Sequence, residues 1–79
     1  MDIVSSVSKL VKGKIEDAGY MVNSITYEKE GSVYYLRIII EKNGAITVDD
    51  CVIVSNIVNP ILDSENIIED NYILDVCSK

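Results

Sequence analysis

Five consecutive residues set the frame for this chain. Leu36-Arg37-Ile38-Ile39-Ile40 is rich in β-branched side chains, whose stiff χ1 suits a pleated strand better than a helix. Asn43-Gly44 follows closely, a pair that tolerates positive φ and turns the chain sharply. Thr47 then stands three residues before Asp50, the spacing of a helix N-cap and the acid that answers it. The usual acid of such a capping box is Glu or Gln, so Asp50 is the weaker version. Asp49 and Asp50 also bring negative charge to the positive end of the helix dipole. Residues 36–62 therefore predict a strand, a turn at Gly44 and a helix beginning near Val48, with Cys51 in its first turn. The remaining segments pack on that unit.

Ahead of it, Asp2 to Ala18 reads as a first helix. Ile3, Val4, Val7, Leu10, Val11, Ile15 and Ala18 recur at three- and four-residue steps and form one apolar stripe. Lys9, Lys12 and Glu16 fall on the other side, and Gly19 stands where a left-handed cap is expected. Tyr20 to Lys29 reads as a strand, with Ile25 and Tyr27 on one face and Ser24, Thr26 and Glu28 on the other. Glu30-Gly31-Ser32 turns the chain, so Val33 to Glu41 folds back as a hairpin partner. In that second strand the uncharged set Tyr34, Leu36, Ile38 and Ile40 is the predicted core face, and Tyr35, Arg37, Ile39 and Glu41 share the opposite one.

In the second helix Cys51, Val54, Ser55, Val58 and Leu62 cluster on one side at about 100° per residue, while Ile53 and Ile57 project elsewhere. Pro60 removes a helical hydrogen bond and disfavours helical geometry at Asn59, which predicts a kink there or a fresh helical turn. Asp63 to Asp70 reads as a polar connection, and Asn71 to Ser78 as a last strand with Tyr72, Leu74 and Val76 inward and Ile73, Asp75 and Cys77 outward. The order helix–strand–strand–helix–strand predicts an α+β fold, a two-layer sandwich with two helices on one face of a three-stranded sheet. A strand returning after a helical crossover runs parallel to the second, so the sheet is mixed; the strand order stays open.

Seventy-nine residues make one domain (1–79), with about 4–12 kcal/mol of total stability by the per-residue rule. Hydrophobic residues at 48% argue for a packed core rather than disorder. No apolar run approaches the ~20 residues of a membrane helix, and no signal peptide opens the chain, which predicts a soluble cytoplasmic protein. Two cysteines without a single histidine are too few for a disulfide framework or a closed zinc site. The same lack excludes Ser-His and Cys-His nucleophile pairs. Asp49 and Asp50 diverge by about 100° on a helix, so they suit a cap better than a metal ion. Cys51 on the apolar helix face reads as core, and Cys77 has no cation nearby in sequence to activate it. Neither a metal, a cofactor nor a catalytic residue is expected.

A net charge of −6 opposes a stand-alone nucleic-acid binder, whose affinity comes mainly from neutralising phosphates. It suits a basic protein partner, or simply keeps the domain soluble. The uncovered sheet face would display Tyr35, Arg37, Ile39 and Ile73, either as a docking surface or as residues chosen for strand propensity. Asp63, Glu65, Glu69 and Asp70 form an acidic group close together in sequence. The element order invites comparison with RNA-binding KH domains, but the GXXG loop with which those clamp a nucleic-acid backbone does not occur.

With these residues in view, the chain resembles the N-terminal domain of the bacterial ribosome maturation factor RimP family. The resemblance runs from the first helix to Ser78. It is sharpest in Leu36-Arg37-Ile38-Ile39-Ile40-Glu41, in Gly44-Ala45-Ile46-Thr47-Val48-Asp49-Asp50-Cys51, and in Val54-Ser55 with Leu62-Asp63, and it continues through Tyr72-Ile73-Leu74-Asp75-Val76. Gly19-Tyr20 fits the family's entry into the first strand. Cys77-Ser78-Lys79 departs from the family's usual two serines followed by proline and glycine, Pro60 is unusual for its second helix, and the family's SH3-like barrel domain is absent from these residues. The resemblance implies a non-enzymatic role in assembling the small ribosomal subunit, alongside its RNA and a strongly basic ribosomal protein, with no membrane and no small-molecule substrate. The sheet face and the acidic group are then the candidate contacts. Direct KH-like RNA binding, and self-association through an open sheet edge or Ile39 and Ile73, are the alternatives.

Overall fold

The computed structural model describes residues 2–68 and 70–78. Helix α1 (Ile3–Asp17) starts where Asp2 Oδ1 accepts the Val4 N–H at 3.1 Å. It ends in a two-bond cap: the Gly19 N–H reaches Glu16 O at 2.9 Å and the Tyr20 N–H reaches Ile15 O at 3.3 Å. Gly19 adopts the required left-handed conformation, φ +97°. The cap also brings Tyr20 into the core beside Ile15. Val7, Val11 and Ile15, spaced by four, are fully buried, as the apolar stripe predicts. Gly13 lies on the exposed side, and a Cβ added there meets no atom within 4 Å. Gly13→Ala is therefore expected to raise stability by about 0.5–1 kcal/mol, read as a higher urea midpoint at unchanged m-value.

Strands β1 (Met21–Glu30) and β2 (Val33–Glu41) form the predicted hairpin through Gly31-Ser32. The register shifts between Val22 and Ser24. That irregularity keeps Val22, opposite Ile40, and Ile25, opposite Ile38, on one side although they stand three apart in sequence. Gly44, at φ +111°, turns the chain into helix α2 (Val48–Glu65). Strand β3 (Tyr72–Ser78) returns parallel to β2, and the order β1-β2-β3 makes the sheet mixed with β2 in the middle. The structure thus has the predicted two-layer α+β arrangement. Helix α1 packs along β1 and α2 along β3, on the same side of the sheet. Between the layers, Leu36, Ile38 and Ile40 of β2 meet Val7, Val11 and Ile15 of α1 and Val54, Val58 and Leu62 of α2.

One expectation is narrowed and another needs correcting. Pro60 does not begin a fresh helical turn: α2 runs as one helix from Val48 to Glu65. Leu62 beyond it is 3% exposed in the core, so continuing the helix keeps apolar surface out of water. Pro60 itself faces solvent, and so does Asn56, whose carbonyl loses the bond, so water can satisfy it. Asp63, Ser64 and Glu65 are helical rather than part of the connection. The helix stops at Asn66, left-handed at φ 49°, whose N–H bonds Leu62 O at 2.9 Å.

Candidate interaction surface

Helices cover one face of the sheet and leave the other bare, and the ladder registers determine what the bare face displays. Tyr35 lies between Glu28 and Ile73, Arg37 between Thr26 and Asp75, and Ile39 between Ser24 and Cys77. The four residues expected on this face, Tyr35, Arg37, Ile39 and Ile73, are therefore neighbours. Ile73 is 48% exposed and the others are half-buried. Arg37 Nε donates to Asp75 Oδ2 at 3.1 Å, and that bond holds the guanidinium pKa above its ordinary value. This cross-strand pair divides the apolar surface into Tyr35 and Ile73 on one side and Ile39 and Cys77 on the other.

The described members of the acidic group lie at the end of α2 and in the connection to β3. Asp63 and Glu65 ride the last turn of α2 and Asp70 follows it, all exposed, while Glu69 lies outside the described residues. Asp63 acts electrostatically on Tyr72, and Asp70 on Tyr27. Both tyrosines point to the helix side, where Tyr27 stacks on Tyr34 with ring centres 5.0 Å apart. Asp63 and Asp70 thus act on groups of the helix side rather than of the bare face.

Asp50 is the residue whose role sequence reasoning most understated. It caps α2 as expected: its Oδ2 accepts the Thr47 N–H at 2.8 Å, and its own N–H donates to Thr47 Oγ1 at 3.2 Å. Yet it is also buried, at 7% exposure. Its Oδ1 accepts the Tyr20 hydroxyl at 2.6 Å, and Lys42 Nζ lies 3.0 Å from Oδ2. The Tyr20 bond foremost, then the Thr47 N–H and Lys42, holds the carboxyl well below the usual carboxylate range despite its burial. The same bond pushes the Tyr20 phenol upward. The cluster ties the end of α1, the β2–α2 turn and the start of α2 together. Asp49 beside it is exposed, and Cys51 is half-buried outside the core rather than within it. A clue was present in the sequence: the short Asp of the box keeps its carboxylate close to the helix start, where an inward tyrosine can reach it.

The chemistry of the remaining groups is quiet. Burial first, then the bond its Sγ donates to Asp75 Oδ1 at 3.2 Å, pushes the Cys77 thiol up, away from the reactive thiolate. An open cleft of about 450 Å³ lies at the carboxyl ends of β2 and β3, lined by Glu41, Lys42, Gly44, Ala45, Ile46 and Ser78. Among the described residues no three Cys, Asp or Glu side chains converge as metal ligands, and no helix is long and apolar enough to cross a membrane.

The architecture defines a small two-layer α+β domain with one bare sheet face and its polar interior spent on fastening a helix start. Residues 10–79 match the family model described as the RimP N-terminal domain. The chain belongs to that family, which makes it a ribosome maturation factor domain involved with the small ribosomal subunit.

Proposed function

We propose that the chain acts in the cytoplasm as a non-enzymatic assembly factor domain that holds a basic ribosomal protein of the maturing small subunit. The observation that carries this reading is the net charge of −6 on a family member whose bare face offers apolar and polar contacts together. An acidic surface attracts a basic protein during encounter and repels the phosphate backbone. Small-subunit RNA is then a neighbour in the complex, reached through the basic protein rather than clamped by this domain. Where an SH3-like barrel domain follows in the family, it adds further contacts.

Titration of the chain against purified small-subunit proteins, and separately against fragments of small-subunit RNA, tests the reading. A saturable complex with a basic ribosomal protein, weakening as salt rises, is the expected result. Tight RNA binding with a steep salt slope and indifference to basic proteins would replace it with the KH-like alternative. Sedimentation of the chain alone is expected to show a monomer at all concentrations; a dimer growing with concentration would point to self-association instead.

A further inference from the structure

The two edge strands of the sheet are finished differently. Along β1 the register shifts between Val22 and Ser24, and the strand ends in the exposed charges Glu28, Lys29 and Glu30. Irregularity and charge of this kind discourage the addition of another strand. By contrast β3 keeps unbroken register with β2 through seven consecutive pairs, from Tyr34–Tyr72 to Ile40–Ser78. It contains no proline and no lysine, and its one charge, Asp75, is already engaged by Arg37. Among the described residues no backbone hydrogen bond joins β3 to anything other than β2. Its inward side chains are also incompletely covered: Leu74 and Val76 are half-buried, whereas Leu36 and Ile38 beside them on β2 are 0% exposed.

The position of this edge matters as much as its finish. It borders the bare face, with Ile73, Asp75 and Cys77, and the helix side, where Asp63 acts on Tyr72. An extended segment laid along β3 reaches both regions at once, which a partner resting on the bare face alone does not.

We propose that the free edge of β3 takes up an extended, lysine- or arginine-rich segment of the partner protein as a fourth strand. The proposal rests on the reading above that the partner is a basic ribosomal protein, and it specifies how that protein is held. Main-chain bonds supply affinity, and alternate side chains supply choice. On the open side the incoming residues meet Ile73, Cys77 and the carboxylate of Asp75; on the other they meet Leu74 and, at the strand's start, the field of Asp63. A second copy of the chain is the poorer occupant, since it brings another −6 of charge and a second Asp75 to the same edge.

Hydrogen–deuterium exchange of the chain, with and without each purified basic protein of the small subunit, tests the proposal. The expected result is a complex in which amides of residues 72–78 exchange about tenfold more slowly while those of β1 are unchanged. In the same titrations Ile73→Lys is expected to weaken binding about tenfold, and Ser24→Lys, the same charge change on the β1 side of that face, about twofold or less. A complex that leaves residues 72–78 unprotected, or equal weakening by both variants, overturns edge pairing and leaves the choice of partner intact. Failure of every basic protein to bind removes that choice, and edge pairing with it. Protection of residues 72–78 that grows with the concentration of the chain alone overturns the proposal in favour of a second copy.

Discussion

Ile38→Ala is expected to cost about 2–5 kcal/mol of folding stability, a large share of the roughly 4–12 kcal/mol that a domain of this length has in total. Ile38 stands at the centre of the middle strand, between Ile25 of β1 and Val76 of β3, and is 0% exposed. Both helices press on this layer, from the β1 and β3 flanks, so the atoms around a truncated side chain are held on every side and close the cavity poorly. Equilibrium urea unfolding measures the effect, with the midpoint falling and the slope retained. Ile39→Ala on the same strand, facing the bare side, is expected to cost far less. Equal losses at the two positions would show that the alternation does not define the core.

Asp50→Asn is expected to cause the largest loss among polar substitutions at neutral pH, and to change how stability depends on acidity. The carboxylate pKa is depressed in the folded state by Tyr20, Thr47 and Lys42. Its contribution is therefore fully present above the unfolded value near 3.9 and fades as pH falls toward the depressed folded value. Between about pH 5 and 2 the native chain should lose stability more steeply than the variant, and the two curves should converge. Parallel curves over that range would remove the ion pair and the tyrosine bond as the cause. Tyr20 gives the opposite limb: its pKa is raised, so its contribution is present below about pH 10 and is lost at higher pH. Tyr20→Phe should remove that part of the alkaline loss.

The alternation in Leu36 to Ile40, the four-residue spacing of Val7, Val11 and Ile15, and the Thr47–Asp50 box are local patterns, and each element they imply is present where they place it. The residues of the bare face were legible for the same reason, since a strand's two faces follow from its period. Of the two outcomes expected at Pro60, the fresh helical turn is absent, and Leu62 beyond it is buried within the same helix. The helical placement of Asp63 and Glu65 followed from how far α2 runs, which local pattern did not give.

Periodicity and turn chemistry act over a few bonds, and they were enough to specify which elements form and which faces they bury. Folding in space decided that β2 lies in the middle, that β3 is left with an open edge, and that Asp50 meets Tyr20 thirty residues away. These depend on how two layers share one apolar interior. Such packing is a sum over contacts distant along the chain, and no short window of residues encodes it.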